Sequence, residues 1–205
     1  MSILTQTNFT RRSFGLMASA AILWAGNVGG AIALTAGQAR SLIDAMVVDI
    51  FKIIDSGKSS KSMYGDFEKF FNKYGDVPII ARQVLGVDSR RATSRQMSAF
   101  TKAFSGYLSR KYGKRFREFI GGRIQVDSSR AVKSFFEVKT TAFLKGQAPF
   151  NVTFLVSDKS GRDKFFNMYI EGINVTLTEK AEIGAMLDRR GGNIDKMIAD
   201  LKRAG

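Results

Sequence analysis

The 205-residue chain contains no cysteine and no histidine. Disulfide bonds and thiolate chemistry are therefore excluded, together with the usual zinc sites, Ser-His-Asp triads and histidine acid–base catalysis. The acidic residues are scattered singly, and the sequence has neither a phosphate-binding loop nor a G-x-G-x-x-G motif. We therefore expect a protein that is not an enzyme, has no catalytic residues, metal or cofactor, and is stabilised by apolar burial alone.

The first 33 residues have the layout of an export signal. Arg11 and Arg12 precede a mostly apolar run at 17–28, and an Ala-Ile-Ala sequence ends at Ala33. Twin-arginine signal peptides have this order of charged region, apolar region and cleavage site. The run is shorter than the ~20 residues needed to span a bilayer. We expect cleavage near Ala33, location in the periplasm and a mature domain of residues 34–205.

The mature domain is strongly basic. The whole chain has 32 Lys and Arg residues, 18 acidic residues and a formal charge of +14. The signal contains two of the basic residues and none of the acidic ones, so 30 against 18 remain, a charge of +12. Outside the cytoplasm such a charge points to an anionic partner: lipid head groups, acidic proteins or polyanionic glycans.

Apolar residues recur with helical spacing through the first half of the mature chain. The pattern predicts helices at 36–54, 61–74 and 78–86, and a long fourth helix from Thr93 or Ser94 to about Ile120. Large apolar and aromatic residues form one stripe of the fourth helix, and Lys and Arg occupy its other side. An exported protein that binds nucleic acid or another polyanion is the main alternative, but it predicts aromatic side chains exposed beside the cations.

After residue 122 the apolar period changes to two, which predicts strands. They are expected around 124–126, 136–142, 150–156 and 164–171, with a further strand at 173–177, and two helices follow at 178–190 and 193–204. A polar loop at 157–162 makes its flanking strands antiparallel neighbours. The predicted fold class is α+β, with a curved antiparallel sheet of four to five strands and helices packed on one face.

The phenylalanine-rich stripes have two interpretations. They are either ordinary core, or the walls of gaps between helices and a twisted sheet that hold acyl chains. An envelope enzyme acting on lipid is a third interpretation of the chain, but it needs an acid–base pair that the sequence does not provide.

Three segments carry the motifs of a known family. The first is DVPIIARQVLG at 76–86, which is followed by RATSRQ at 91–96 and by Phe100, Phe104, Leu108 and Tyr112. The others are KFFNMYIEGIN at 164–174 and LDRRGGNIDKMI at 187–198. In this order they resemble the MlaC or toluene-tolerance family of periplasmic phospholipid-transport proteins. The hopanoid-associated HpnM branch of that family is equally similar, so a hopanoid-associated lipid carrier stays open as an alternative.

The resemblance implies an NTF2-like or MlaC-like fold and a monomeric carrier without affinity for nucleic acid. Its pocket would take phospholipid acyl chains while the head group stays near solvent. The carrier would shuttle lipid between an inner-membrane ABC transporter and an outer-membrane lipoprotein complex, which supports outer-membrane lipid asymmetry and solvent tolerance.

Eleven residues are predicted to line such a pocket. Those on helices are Val47, Phe51, Phe71, Ile80, Val84, Phe104 and Leu108, and those on strands are Val138, Val152, Phe154 and Phe166. The strand choices assume that side chains alternate strictly between the two faces of the sheet.

Overall fold

The structure, a computed structural model, describes residues 34–205. The predicted twin-arginine signal and its cleavage site lie outside the described residues. Within residues 34–205, no helix is long and apolar enough to cross a membrane.

Four helices form the first half of the domain. They are α1 (Ala36–Ile54), α2 (Ser60–Tyr74), α3 (Val77–Leu85) and α4 (Ser94–Gly113), and a short 3-10 turn at Gly86–Arg90 follows α3. Both long helices begin with a capping box, in which Thr35 pairs with Gln38 and Thr93 with Gln96. These reciprocal hydrogen bonds satisfy amide groups that lack partners inside the helix. The helices lie close to the positions that the apolar spacing predicts.

The fourth helix is shorter than predicted. It ends at Gly113 and is followed by a second 3-10 turn at Arg115–Phe119, so the expected continuation to Ile120 was wrong. Gly113 lies directly against Phe67, and a Cβ atom there would come within 2.9 Å of the Phe67 ring. Glycine is also a poor helix former. The close approach therefore coincides with the end of α4, and the tighter turn redirects the aromatic residues that follow.

The second half of the domain is a five-stranded sheet followed by two helices. The strands are β1 (Arg123–Val132), β2 (Phe135–Phe143), β3 (Phe150–Ser157), β4 (Lys164–Ile170) and β5 (Ile173–Asn174), in that spatial order with each pair antiparallel. The helices are α5 (Val175–Asp188) and α6 (Ile194–Leu201). The predicted α+β class is confirmed.

The last strand differs from its prediction because a helix begins inside it. Strand β5 has two residues instead of the expected five, and α5 begins at Val175. The side chain of Asn174 accepts a hydrogen bond from the backbone N–H of Leu177, 3.1 Å away, and so caps α5. Asparagine at this position favours a helix start over a continued strand.

One face of the sheet carries the core. Along β2, Val138, Thr140 and Ala142 are buried while Lys139 between them is exposed. Helix α1 packs across β1, β2 and β3, whereas α5 packs on β4 and α3. Side chains of α2 and of the turn after α4 lie opposite β3 and β4.

Candidate functional site

A mainly apolar cavity of about 360 Å³ lies between the helices and the inner face of the sheet. This volume lies within the range of about 300–1,000 Å³ that is usual for small-molecule sites. Its walls come from α1, α2, the end of α4, the 3-10 turn at Arg115–Phe119 and the inner face of β1 to β4. The apolar and aromatic residues of the wall are Met46, Ile50, Phe70, Phe71, Tyr112, Phe116, Phe119, Ile124, Leu144, Phe150, Val152, Phe154, Phe165, Met168 and Ile170.

A chain of phenylalanine rings forms the helical side of the cavity. The Phe71 and Phe116 ring centres are 6.5 Å apart, and Phe116 and Phe119 are separated by 5.8 Å. Phe119 then meets Phe150 of β3 edge to face at 6.4 Å. The rings of the turn after α4 therefore contact both α2 and the sheet. They form part of the cavity wall without filling the cavity.

A β-bulge sets the sheet side of the cavity. Phe154 pairs with Met168 and Val156 pairs with Phe165, so Phe166 has no partner in the register. The extra residue reverses the alternation of side chains along β4. Phe165, Met168 and Ile170 consequently line the cavity.

Phe166 lies elsewhere. It is half-buried, its ring meets Phe135 edge to face at 5.6 Å, and both side chains line a separate surface groove. Strict alternation from Ile170 would place Phe166 with the cavity residues. Because of the bulge, Phe165 lines the cavity in place of Phe166.

The cavity opens to solvent at a polar mouth. Arg115, Glu118, Gln147 and Glu171 contribute to its lining and are all exposed. They come from three separate segments: the 3-10 turn, the β2–β3 loop and the β4–β5 turn. The mouth therefore combines one cationic and two anionic side chains at the rim of an apolar interior.

Glu171 is held in place at this mouth. Its φ of 48° is in the left-handed region, as is the φ of 77° at Gly172, and together they make the tight turn between β4 and β5. The Glu171 N–H donates to the Asn151 carbonyl at 2.9 Å, and the Asn151 N–H donates to the Glu171 carboxylate. A left-handed non-glycine residue is uncommon and is kept by such surrounding contacts.

Behind the cavity lies a smaller space of about 40 Å³. Phe71, Tyr112, Phe165 and Met168 line both spaces and separate them. The smaller space is lined in addition by Ile80, Phe104 and Leu108, and by the carboxylate residue Glu179.

Glu179 is the centre of a polar cluster between α4 and α5. It is 1% exposed, and its Oε1 accepts hydrogen bonds from Lys111 Nζ at 2.7 Å and from the Tyr112 hydroxyl at 2.6 Å. Lys111 also donates to Glu182. Among the described residues, Glu179 Oε2 and the nearby Tyr107 hydroxyl have no hydrogen-bond partner.

The cluster shifts the ionisation of its members. Burial raises the pKa of Tyr112 far above its ordinary value, and the charge of Glu179 raises it further. Burial alone would lower the pKa of Lys111, but its hydrogen bonds to Glu179 and Glu182 raise it overall. Tyr112 is therefore a neutral hydrogen-bond donor, and Lys111 is the countercharge of the buried carboxylate.

The polar atoms of the inner wall are occupied by protein partners. The Tyr112 hydroxyl donates to Glu179, and the Thr140 hydroxyl donates to the Val152 carbonyl at 2.8 Å. In residues 34–205 no group of three or more acidic side chains is placed to hold a metal ion. The inner wall therefore offers a ligand mainly apolar contacts, and charged contacts only at the mouth.

The eleven residues predicted to line a pocket divide into five groups. Phe71, Val152 and Phe154 line the cavity, and Ile80, Phe104 and Leu108 join Phe71 around the smaller space. Val84 and Val138 are buried in packed core, whereas Val47 and Phe51 are half-buried on α1 and line neither space. Phe166 lines neither space and lies in the surface groove with Phe135.

The pocket prediction did not include several residues that the structure brings to the cavity. Phe116, Phe119 and Phe150 belonged to predicted apolar stripes, and the change from α-helix to 3-10 turn redirects the first two. Met168 and Ile170 have the same strand parity as the predicted Phe166, but the prediction did not include them. The charged residues at the mouth carried no local signal, because their segments are far apart in the chain.

Comparisons with known proteins give three findings. The family model described as MlaC protein matches residues 44–203. The toluene tolerance protein Ttg2D of Pseudomonas putida is 25% identical over 141 residues, which cover 67% of this chain and 65% of that protein. The chain thus matches less than two thirds of the length of this curated relative.

A solved structure has a similar fold. It is a phospholipid-binding protein from Ralstonia solanacearum, determined in complex with a phospholipid. The TM-score is 0.67 at 18% identity, and the alignment covers 80% of this chain and 98% of the other. The similarity is a similarity of fold, and it extends over nearly the whole length of the other chain.

Proposed function

Because the chain belongs to the MlaC family, we propose that it is a lipid carrier that holds the acyl chains of a phospholipid in the cavity. The observation that carries this proposal is the mainly apolar space of about 360 Å³ with a polar mouth open to solvent. Acyl chains would contact the phenylalanine rings and the β3 and β4 side chains. The head group would remain at Arg115, Glu118, Gln147 and Glu171.

The energetics of lipid transfer support a carrier. Each CH₂ group withdrawn from water contributes about 0.8 kcal/mol, so hiding acyl chains offsets a large transfer cost without any reactive side chain. The relative from Ralstonia solanacearum was solved with a phospholipid, which makes this ligand class the first to test. A hopanoid would use the same apolar burial, and extraction of the bound lipid distinguishes the two.

The proposed setting of the carrier is the periplasm. There it would act as a monomer and move lipid between an inner-membrane ABC transporter and an outer-membrane lipoprotein complex. The +12 charge of residues 34–205 would steer it toward anionic membranes and acidic docking surfaces, mainly by raising association rates.

Export also has a direct test. The chain has a single tryptophan, Trp24, inside the proposed signal. Cleavage near Ala33 removes it, so protein isolated from the envelope should show tyrosine-like fluorescence. A tryptophan spectrum would mean that the segment is retained.

The carrier function is tested by native mass spectrometry and lipid extraction of protein purified from the periplasm. We expect wild-type protein to carry phospholipid. Val152→Glu places a carboxylate on the cavity wall, where an unpaired polar group costs several kcal/mol, and should lower the bound lipid. Val48→Glu is the matched control, because Val48 is 54% exposed on α1.

Circular dichroism would establish that both variants are folded. Wild-type protein without bound lipid would contradict the carrier proposal. If the Val152→Glu protein is folded and carries as much lipid as wild-type protein, Val152 is not part of the lipid-binding site.

A further inference from the structure

We infer that the mouth of the cavity selects zwitterionic over anionic phospholipids, because it presents one guanidinium and two carboxylates to the head group. This inference rests on the proposed function, in which phospholipid occupies the cavity. It identifies the head-group class and the residues that recognise it.

Arg115 is the cationic part of the mouth. It is exposed at the start of the 3-10 turn and lines the cavity, and it forms no ion pair within residues 34–205. A guanidinium binds phosphate oxygens through paired N–H groups in a fixed geometry. Arg115 is therefore available to the phosphate that all phospholipid head groups share.

Glu118 and Glu171 are the anionic part. Glu118 follows Arg115 by three residues, so the two side chains project from the same side of the 3-10 turn. Neither Glu118 nor Glu171 has an ion-pair partner within residues 34–205. The clasp between Glu171 and the backbone of Asn151 fixes one carboxylate at the rim before any ligand arrives.

Four other cations near the mouth in sequence do not line it: Lys114, Arg117, Arg123 and Lys145. Lys114 Nζ donates to the Gly205 carbonyl at 2.9 Å, and the Arg123 guanidinium stacks 3.8 Å above the Phe143 ring. The lining of the mouth is thus net negative in a domain that is strongly positive. Because salt screens exposed charges beyond about 8–10 Å, the nearest groups dominate what a head group experiences.

The charge pattern matches a head group with a phosphate and an ammonium. The phosphate would bind Arg115, and the ammonium would lie near Glu118 and Glu171. An anionic head group such as phosphatidylglycerol gains the same contact with Arg115 but meets two carboxylates without a compensating cation. The preference for zwitterionic lipid follows from that difference.

The test is a competition between two lipids with identical acyl chains. Protein stripped of lipid is reloaded from detergent micelles that contain equal amounts of phosphatidylethanolamine and phosphatidylglycerol, and the bound lipid is measured by mass spectrometry. We expect wild-type protein to bind mainly phosphatidylethanolamine. Glu171→Gln should shift the ratio toward phosphatidylglycerol by about two- to fivefold, which is the effect expected of one exposed ion pair.

Two further variants complete the test. Asp163→Asn removes one exposed charge at the opposite end of β4 and should leave the ratio unchanged. Glu118→Gln should shift the ratio in the same direction as Glu171→Gln, and it does not involve the clasp with Asn151. The amide that Glu171→Gln introduces still provides an oxygen to the Asn151 N–H, so the turn should be retained.

The outcomes separate the two proposals. Equal loading of both lipids by wild-type protein, or a preference for phosphatidylglycerol, would overturn the head-group inference while leaving the carrier function intact. Equal shifts in Glu171→Gln and Asp163→Asn would assign the effect to overall charge and would also overturn it. Failure to load either lipid would count against the proposed function itself.

Discussion

Phe71, Tyr112, Phe165 and Met168 separate the large cavity from a closely packed region in which only a space of about 40 Å³ remains. On the packed side, Phe100, Phe104 and Tyr107 of α4 stack at 5.7 and 6.1 Å between ring centres and are almost completely buried. On the cavity side, Phe116, Phe119 and Phe150 are only half-buried. Both regions use the same residue type, so composition does not decide which one encloses space.

The difference arises from the elements that carry the rings. The packed rings lie about one turn apart along a regular helix, which packs against α2, α3 and α6. The cavity rings lie on a short 3-10 turn and at a strand end. The closely packed region stabilises the domain. The region around the cavity makes fewer van der Waals contacts than a filled core would make, and the domain tolerates this loss.

Lys111→Met should have the largest effect, because it removes the countercharge from the packed region. Glu179 would remain buried without its cation, and breaking such a pair costs about 3–5 kcal/mol. We expect a reduced midpoint in urea unfolding, with lipid binding by the folded fraction retained. Lys52→Met, which breaks an exposed pair with Asp49, should cost less than about 1 kcal/mol. Similar losses in the two variants would show that the cluster does not stabilise the packed region.

Two phenylalanine substitutions compare the regions directly. Phe100→Ala should cost about 3–5 kcal/mol, because a fully buried ring leaves a void. Phe150→Ala should cost about 1 kcal/mol, because part of its surface already faces the cavity or solvent. Lipid affinity should fall only in Phe150→Ala. Calorimetry and a lipid-binding titration measure both effects, and equal destabilisation would remove the distinction between the regions.

The smallest effect concerns acid stability at the contact between α1 and α2. Asp49 of α1 accepts hydrogen bonds from Lys73 and Tyr74 of α2, and also from Lys52. These contacts, chiefly that with Lys73, hold the pKa of Asp49 well below its usual range. A lowered folded-state pKa contributes stability above the unfolded value of about 3.9, and this contribution is lost as the pH falls below it.

Asp49→Asn should therefore lose less stability than wild-type protein between pH 6 and pH 3. Urea unfolding at the two pH values measures the difference. An equal loss in both proteins would mean that other carboxylates govern the acid response, Glu182 and Asp200 among them, since their pKa values are also lowered.

Much of the fold could be predicted from local chemistry. The Thr35 and Thr93 caps mark helix starts, the change of apolar period marks the sheet, and the polar loop at 157–162 indicates an antiparallel pair. Phe71, Val152 and Phe154 were placed with the pocket because helical spacing and strand alternation hold where those elements are regular. Whether they contact a ligand stays a prediction.

The predictions of the α4 end and of side-chain alternation in β4 were wrong because tertiary packing overrides the local sequence pattern there. Gly113 gave no strong stop signal within a sustained apolar stripe, and its close approach to Phe67 exists only when α2 and α4 are packed together. The bulge at Phe166 depends on the register between β3 and β4, which alternation within one strand does not contain.

The sequence by itself determined the class of the fold, its helix starts and the absence of histidine and cysteine chemistry, because these depend on residue type and short-range spacing. Only the tertiary structure decided where apolar side chains leave a cavity and which charges meet at its mouth. Arg115, Gln147 and Glu171 come from segments separated by some 24 to 32 residues. Their proximity follows from strand pairing and from the turn after α4, and no local pattern encodes it.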